Sequence, residues 1–400
     1  MLKDPQGTES STQPERIVVL RALQLGDLLC TVPAFRALRA EFPRAHIALA
    51  GLPWAASFVE RFGRYVDEFI EFPGADGLPE QPARHEQLPG FLRQMQQRHF
   101  NVALQMHGSG YVVNDLIRLF RADVTAGFYP PSSVCPNPEL FYPYPEQAPE
   151  VLRHLRLLEF LGIPLQGDEL EFHMTQADFE VLEAAEGSQL LRRAPYICMH
   201  PGARFPSRRW APERFAAVAD ALCDRGFRIV LTGSAEETDL AMAVARQMQT
   251  LPLILAGRTT LGALAALLQD ARLLISNDTG LSHLAAALRV PSVIIANGSN
   301  AQRWAPLNGR IHRVLAHSVA CRPCEHVVCP VDGHPCAEGV SPEQVLREAE
   351  TLLHLPPSRP AQAPDALVAP DGQPTHAAAF ANSDMARAWQ LPAVPGAHPA

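Results

Sequence analysis

The sequence predicts an α/β protein built from two similar domains, each a parallel β-sheet with helices on both faces. Three observations predict this fold class. At 400 residues, the chain is long enough for two domains of ordinary size. Short β-branched segments alternate with amphipathic helical patterns, which is typical of parallel sheets. The alternation runs in two series, which we assign to a first domain over residues 15–175 and a second over 176–355.

In the first domain, short apolar segments are predicted to be strands and longer periodic segments to be helices. The predicted strands are 17–20, 46–50, 68–72, 101–106 and 124–128. The predicted helices are 27–41, 54–62, 91–99, 110–122 and 150–161. Residues 73–90 and 129–149 are rich in proline or glycine, so we expect exposed loops there.

The second domain repeats this pattern. Its predicted strands are 196–199, 228–231, 253–255, 272–276 and 292–296, and its predicted helices are 177–192, 212–225, 236–249, 261–269 and 280–288. Ligands of open parallel sheets bind at the carboxyl ends of the strands, so two facing domains predict a site in the central cleft between them. Residues 1–14 and 356–400 show no helical or strand period, and we expect both to be disordered.

The composition argues against several classes of protein. The formal net charge is −8, whereas binding to nucleic acid requires a positive field that displaces counterions from phosphates. We therefore expect no nucleic-acid partner. No run of ~18 apolar residues is present that could span a bilayer. Because the first fourteen residues are polar and lack the apolar core of a signal peptide, the sequence predicts a cytoplasmic protein.

Three strand-to-helix turns carry candidate functional residues, and the first is Gly26-Asp27 at the end of the first predicted strand. A carboxylate at a helix start can simply cap the helix, because it satisfies free N–H groups and favours the positive end of the helix dipole. It can also act as a general base toward a ligand in the cleft and take a proton from an acceptor hydroxyl. Both interpretations are open from this turn alone.

The second turn, His200-Pro201-Gly202-Ala203, is followed by three arginines. Gly202 lets the backbone approach a ligand closely. The guanidinium groups supply forks of donors that fit phosphate oxygens, and they belong to Arg204, Arg208 and Arg209. A solvated basic loop is the alternative. Because the chain as a whole is acidic, we favour local anion binding.

The third turn contains Asp278, Thr279, Gly280 and His283, where a buried strand meets an alanine-rich helix. Its free backbone amides and hydroxyl can bind an anion at the helix N-terminus, and plain helix capping is the alternative. An aspartic-protease site is excluded because no second copy of the Asp-Thr-Gly or Asp-Ser-Gly triplet is present. Between the second and third turns, Glu237 can bind ribose hydroxyls or favour the first turn of a helix.

Four cysteines lie within sixteen residues, at Cys321, Cys324, Cys329 and Cys336. Four thiolates can close a tetrahedral structural site for zinc or hold an iron–sulfur cluster. Reduced cysteines in a loop are the alternative, and a disulfide framework is less expected in a cytosolic protein. Both interpretations stay open, and a metal bound by the cluster would be structural, with no part in catalysis.

Together, in this order and spacing, the three turns resemble glycosyltransferase family 9, the bacterial ADP-heptose:lipopolysaccharide heptosyltransferases, over residues 15–355. The segment from Asp278 to Ala287 is the most specific match. The resemblance implies a GT-B fold, in which two Rossmann-like domains face a central cleft, with the donor nucleotide on the second domain and the acceptor on the first. It also implies inverting transfer of a heptose from ADP-heptose without a catalytic cofactor.

Individual roles follow from this resemblance. Asp27 becomes the catalytic base, and Glu237 would meet the adenosine ribose. Arg208 stands where the family usually has a lysine that contacts the donor phosphates, so the charge is kept while the geometry differs. The residues predicted to bind the donor are Gly202, Arg204, Arg208, Arg209, Glu237, Asp278, Thr279, Gly280 and His283. Similar cysteine-rich loops occur in many members of the family.

Two other functions stay open. A GT-B-like enzyme with another nucleotide sugar or acceptor would keep the same turns. A non-catalytic nucleotide-sugar-binding protein would keep the fold without needing Asp27. A nicotinamide-dependent oxidoreductase is disfavoured because no Gly-x-Gly-x-x-Gly motif follows a strand.

The acceptor that the resemblance implies is a glycolipid of the lipopolysaccharide inner core. The protein would then make transient, peripheral contact with the inner face of the membrane. We expect this contact on apolar and basic side chains of the first domain, namely Phe58, Arg61, Phe62, Arg64, Phe91 and Arg93. The same residues also fit ordinary helix faces.

Overall fold

The computed structural model describes residues 14–354, and these contain two six-stranded parallel sheets. The strands of the first sheet are β1 (Arg16–Leu20), β2 (His46–Gly51), β3 (Glu68–Glu71), β4 (Val102–Gln105), β5 (Val124–Tyr129) and β6 (Phe141–Pro143). Their order in the sheet is β3-β2-β1-β4-β5-β6, so the winding direction reverses between β1 and β4. The apolar central strands are buried on both faces, as parallel strands covered by helices require.

The helices of the first domain are α1 (Leu25–Leu29), α2 (Val32–Glu41), α3 (Ala55–Arg61), α4 (Leu88–Gln97), α5 (Val113–Arg118) and α6 (Glu150–Phe160). The sequence predicts one helix over residues 27–41, but the structure breaks it between α1 and α2. Pro33 lies in the first turn of α2, where a missing N–H leaves no hydrogen bond unmade. Within a continuous helix the same proline would clash with the preceding turn.

The second sheet has the same topology as the first. Its strands are β7 (Tyr196–His200), β8 (Arg228–Leu231), β9 (Leu253–Ile254), β10 (Leu273–Asn277), β11 (Ser292–Ile295) and β12 (His312–Leu315). The order β9-β8-β7-β10-β11-β12 matches the first sheet strand for strand. The register pairs Ser276 of β10 with His200 of β7, so these two strands end side by side.

The helices of the second domain are α7 (Gln176–Ala184), α8 (Pro212–Cys223), α9 (Thr238–Gln247), α10 (Leu261–Gln269), α11 (Gly280–Ala287), α12 (Ala301–Trp304), α13 (Pro335–Glu338) and α14 (Pro342–Leu353). The longest of these, α8 and α14, have twelve residues and pack against each other. Among residues 14–354, no helix combines the length and apolar composition needed to cross a membrane. The segments expected to be disordered, 1–14 and 356–400, fall outside the described residues apart from Pro14.

Two edge strands, β6 and β12, are missing from the sequence prediction. β6 lies within residues 129–149, which the sequence predicts to be an exposed loop, and pairs with β5 through Phe141 opposite Gly127. An edge strand needs only one hydrogen-bond ladder and tolerates proline. A three-residue strand that ends in Pro143 therefore leaves no alternating pattern that sequence reading could detect.

The two domains share one hydrophobic core cluster. It contains Leu28 and Leu29 of α1 together with Leu281 and Leu284 of α11, and these two helices contact each other across the domain boundary. Helix α6 packs on α2 of the first domain, whereas α7 packs on α10 of the second, so the chain crosses between α6 and α7. A boundary at residues 175–176 lies in this crossing and stays a prediction.

Candidate active site

The three predicted turns meet at one cavity between the domains. The cavity lies at the carboxyl ends of β1, β7, β8 and β10, close to where the strand order of each sheet reverses. Open parallel sheets bind their ligands at such reversal points. The cavity has a volume of about 780 Å³. Its lining includes Gln24, Leu25 and Gly26 from the first domain and His200, Arg204, Arg208, Glu237, Asp278, Thr279 and Gly280 from the second.

The backbones of the two domains pack tightly where Gly26 meets Gly280. A Cβ atom on Gly26 would lie 2.9 Å from Cδ2 of His283 and 3.1 Å from Cα of Gly280. A Cβ atom on Gly280 would lie 3.0 Å from the backbone nitrogen of Gly26. Glycine at both positions is therefore needed for this approach. The first turn of the sequence thus sits directly against the third.

Asp27 follows Gly26 on α1, and its side chain is 18% exposed. The guanidinium of Arg21 lies 3.6 Å from its carboxylate, measured from Nη2 to Oδ1, and also donates two hydrogen bonds to its carbonyl oxygen. Burial raises the pKa of Asp27, and the charge of Arg21 opposes this rise. A carboxylate with a raised pKa is the stronger base, provided that its neighbours keep it ionised.

Behind Asp27 lies a buried carboxylate, Glu150, which joins arginines from both domains. Its side chain is 3% exposed and contacts Nη2 of Arg21 at 3.0 Å and Nε of Arg303 at 2.8 Å. Burial would raise the pKa of Glu150, but contacts with His154, Arg303 and Arg21 hold it well below its usual value. No local sequence pattern marks Glu150 or Arg303, because the contact between them joins residues 153 positions apart.

Glu237 forms part of the cavity wall and is held there by the backbone. Its carboxylate accepts a hydrogen bond from the N–H of Ser234 at 2.9 Å in a capping box, and lies 3.8 Å from Nε2 of His200. A Cβ atom on Gly202 would overlap this carboxylate. The glycine of the second turn is therefore needed to make room for Glu237.

The three arginines of the second turn do different things. Arg204 is exposed and lines the cavity. Arg208 also lines it, while its guanidinium donates hydrogen bonds to the carbonyls of Asn297 and Cys324. Arg209 does not line the cavity; its Nε donates to the carbonyl of Ala203 at 3.0 Å and so braces the turn. Two of the three predicted phosphate contacts therefore face the cavity.

In the third turn, Asp278, Thr279 and Gly280 line the cavity, and the Thr279 hydroxyl accepts from the N–H of Leu281 at the start of α11. Burial raises the pKa of Asp278. His283 is not part of the lining. It is buried against Cys30, with Nδ1 3.4 Å from the thiol sulfur, and burial lowers its pKa to about 4. The structure therefore does not bring His283 to the surface that the other donor residues share.

Asn277, a residue not singled out from the sequence, aligns the second and third turns. Its side chain is fully buried at the end of β10. The amide oxygen accepts from the N–H of Trp210 at 2.9 Å, and the amide nitrogen donates to the carbonyl of Pro201 at 2.8 Å. The sequence did contain a signal for Asn277. It is a polar residue at the end of a buried strand, next to Asp278, and a buried polar side chain needs a hydrogen-bond partner.

The four clustered cysteines are not gathered into one metal-holding group among the described residues. All four are free thiols, and within the described part of the chain no group of three or more His, Cys, Asp or Glu side chains is placed to hold a metal ion. Cys321 is exposed, whereas Cys324 packs under Gly298 and Cys336 is buried on α13. The four cysteines therefore differ in burial, and the structural metal site stays a prediction.

The apolar residues expected to contact a membrane are internal, so that part of the prediction is wrong. Phe58, Phe62 and Phe91 are buried in the hydrophobic core of the first domain. Arg61 forms an ion pair with Asp178, and Arg64 forms an ion pair with Glu171. The apolar residues form the inward face of their helices and leave no apolar surface there for a lipid, although Arg93 is exposed.

Two curated proteins of Escherichia coli are similar to this chain in sequence. Lipopolysaccharide heptosyltransferase 2 of strain K12 is 25% identical over 265 residues, which cover 62% of this chain and 72% of the relative. Lipopolysaccharide heptosyltransferase 3 is 40% identical over 76 residues, and the chain spans only 22% of its length.

Solved structures share the fold. A glycosyltransferase of family 9 from Veillonella parvula superimposes with a TM-score of 0.70 and 24% identity, over 85% of this chain and 97% of the other. The Escherichia coli ADP-heptose lipopolysaccharide heptosyltransferase II gives 0.64 and 22%, over 84% and 98%. These likenesses confirm the predicted GT-B architecture.

The family follows from a match to the sequence itself. The model for glycosyltransferase family 9 (heptosyltransferase) matches residues 90–334, which is more than half of the chain. The matched range begins in α4 and includes the second and third turns, and the cleft geometry adds the Gly26-Asp27 turn to them. Protein fold and sequence match agree, and this chain belongs to glycosyltransferase family 9.

Proposed function

We propose that this protein transfers a heptose from ADP-heptose to a glycolipid acceptor of the lipopolysaccharide inner core, with inversion at the anomeric carbon. The observation that carries the proposal is the position of Asp27 directly after Gly26, which lines a cavity whose opposite wall offers Arg204, Arg208 and the N-terminus of α11. One structural neighbour is named as an ADP-heptose lipopolysaccharide enzyme, which supports this choice of donor and acceptor. We propose that the reaction proceeds in the cytoplasm, where the glycolipid meets the protein at the inner face of the membrane.

The second domain supplies groups suited to a nucleoside diphosphate. Arg204 and Arg208 place guanidinium groups at the cavity, and the N-terminus of α11 at Gly280 offers free N–H groups. Glu237 offers a carboxylate that can accept hydrogen bonds from ribose hydroxyls. We propose that these four residues, with Asp278 and Thr279, bind the donor. Gly202 and Arg209 would act indirectly, by making room for Glu237 and by bracing the turn.

The chemistry follows from this placement. The acceptor hydroxyl gives its proton to the Asp27 carboxylate while its oxygen forms a bond to the anomeric carbon of the heptose. The bond between that carbon and the diphosphate oxygen breaks, and its electron pair leaves with ADP. Negative charge therefore grows on the diphosphate, where arginines and helix amides stabilise it. Every group in this step belongs to the chain or the substrates, and we propose no cofactor.

The test is heptose transfer by the purified protein from ADP-heptose to Kdo-lipid A, followed by mass spectrometry of the lipid. Asp27→Asn should lower kcat by about 10²–10⁴-fold, because the proton acceptor is lost, and should leave ADP affinity unchanged by calorimetry. Asp115→Asn is a matched control, since Asp115 is an exposed acidic residue in the first turn of α5.

Three outcomes would contradict parts of the proposal. Donor binding without transfer by the wild-type protein would remove the acceptor assignment. Transfer from a different nucleotide sugar in preference to ADP-heptose would remove the donor assignment. Equal turnover by the wild-type protein and Asp27→Asn would contradict the assignment of Asp27 as the catalytic base.

A further inference from the structure

A chain of charged side chains connects the second domain to Asp27. Arg303 lies on α12 of the second domain, and its Nε atom is 2.8 Å from Oε2 of Glu150 on α6 of the first. The other carboxylate oxygen of Glu150 contacts Arg21 at 3.0 Å, and Arg21 in turn lies 3.6 Å from Asp27. A continuous series of three ion pairs therefore connects the second domain to the carboxylate of Asp27.

The remaining groups around Glu150 belong to the first domain and are fixed there. Arg153 lies 3.4 Å from Oε2 of Glu150 and is held by the carbonyls of Glu146 and Ala148 and by the Tyr144 hydroxyl. His154 is buried 3.4 Å from Oε1, and burial lowers its pKa to about 4, so it is neutral at pH 7. Among these partners of Glu150, Arg303 is the one that a change in the domain interface can remove.

The charge balance makes this contact important for Asp27. Three guanidinium groups and two carboxylates leave the cluster with one surplus positive charge, and the cluster would have none without Arg303. Asp27 also faces His107 and Cys30, and the thiol is kept neutral because burial raises its pKa. His283, which packs on α1 from the second domain, is neutral as well. Burial favours the protonated form of Asp27, so the ionised form depends on the surplus charge.

We propose that Arg303 is a positioning residue which, through its contact with Glu150, makes the charge state of Asp27 depend on the two domains being in contact. The inference rests on the proposed function, because it assumes that Asp27 is the base. When the domains are together, Arg303 completes the cluster and Asp27 can accept a proton from the acceptor. When they are apart, the cluster loses its surplus charge and Asp27 takes up a proton from solvent.

The first test is the pH profile of kcat for heptose transfer. In Arg303→Gln, the acid limb should move to higher pH by about one unit, with about tenfold lower kcat on that limb, because one nearby positive charge is lost. Arg303→Lys keeps the positive charge and should return the acid limb of the kcat profile to its wild-type pH. Arg310→Gln is the matched control, since Arg310 is exposed in the connection between α12 and β12 and has no ion pair within the described residues. An acid limb in Arg303→Gln that coincides with that of the wild-type protein would overturn the proposal, even if the maximum rate falls.

The second test does not need activity. A double-mutant cycle of Asp27→Asn and Arg303→Gln is measured by urea unfolding at pH 5 and pH 8. The coupling between the two sites should be larger at pH 8, where Asp27 is ionised, than at pH 5. Absence of coupling at both pH values contradicts the proposal. Coupling in a protein that transfers no heptose would instead contradict the proposed function and leave the interdomain charge contact standing. If Arg303→Gln does not fold, Arg303→Met, which keeps an apolar stem, takes its place in both tests.

Discussion

Asp27 occupies a position that is unfavourable for its own charge. Its pKa is raised because burial outweighs the attraction of Arg21. A group whose folded pKa lies above its unfolded value stabilises the fold at low pH, and this contribution is lost as the pH rises through the folded pKa. The residue proposed to act as the base therefore lowers stability under the conditions in which it is ionised.

Replacing this carboxylate should reveal that effect. Asp27→Asn should have a higher free energy of unfolding than the wild-type protein at pH 8, and the difference should shrink as the pH falls and the wild-type carboxyl group takes up a proton. Urea unfolding at both pH values measures the difference. A variant that is less stable than the wild-type protein at pH 8 would show that the ion pair with Arg21 outweighs burial.

Gly202 allows a second prediction at the residue scale. In Gly202→Ala the new methyl group would overlap the Glu237 carboxylate and push it out of the cavity wall. We expect ADP affinity to fall by about tenfold, the effect of one lost hydrogen bond to a charged group, with little change in stability. Calorimetric titration with ADP checks this. Gly309→Ala is the control, because a Cβ atom there meets nothing within 4 Å; equal affinities in both variants would contradict the prediction.

Local sequence signals found much of the candidate site. Arg204, Glu237 and Thr279 all follow strand ends, where small or polar residues interrupt an apolar run, and all three line the cavity. Glu150 and Arg303 could not be found in this way. They form an ion pair between segments that are distant in the sequence, and neither residue lies in a recognisable local pattern. Sequence spacing also has a limit in the cysteine cluster: four closely spaced cysteines allow a metal site, but the spacing does not determine how their side chains are arranged, and no group among the described residues is placed to hold a metal ion.

At the scale of elements, the loop before α7 is fixed by an ion pair that sequence reading did not identify. Asp178 lies in the first turn of α7 and accepts hydrogen bonds from both terminal nitrogens of Arg61 at 2.7 and 3.0 Å, and from the N–H of Thr175. The hydrogen bonds from Arg61 lower the pKa of Asp178 to about 2. This pair connects α3 of the first domain to the start of the second.

Asp178→Asn should lower the free energy of unfolding by about 1.5–3 kcal/mol at pH 7, the usual size of a hydrogen bond to a charged group. Because the folded pKa is depressed, this stability is present above about pH 4 and is lost as the pH falls toward 2. Wild type and variant should therefore converge in acid. Glu183→Gln on the same helix removes only an exposed pair and should cost no more than about 0.5 kcal/mol. An Asp178→Asn effect of that small size would contradict the prediction.

Central elements were predictable, whereas peripheral elements were not. Strands such as β1 and β10 are buried on both faces and read as continuous apolar runs. Other elements depend on single prolines or on packing partners. These are the edge strands, the short helices α12 and α13, and the break between α1 and α2. Their local signals are too weak to separate from those of loops.

For the whole molecule, the shared core implies that the two domains unfold together. Leu29 and Leu284 belong to one cluster of buried side chains that continues from the first sheet to the second. Calorimetry should therefore show one transition, and Leu284→Ala should destabilise it by about 2–5 kcal/mol. Leu251→Ala is the control, because Leu251 is 90% exposed. Two resolved transitions, with only one shifted by Leu284→Ala, would show that the domains are independent.

The contact of Gly26 with Gly280 has a consequence for the history of this protein. A larger side chain at either position meets mainly the backbone of the opposite domain, so no substitution at the other position could compensate for it. Positions 26 and 280 therefore cannot covary. Each glycine must be retained independently of the other during evolution. Among descendants of this chain, we expect both glycines to persist after the residues that select the sugar have changed.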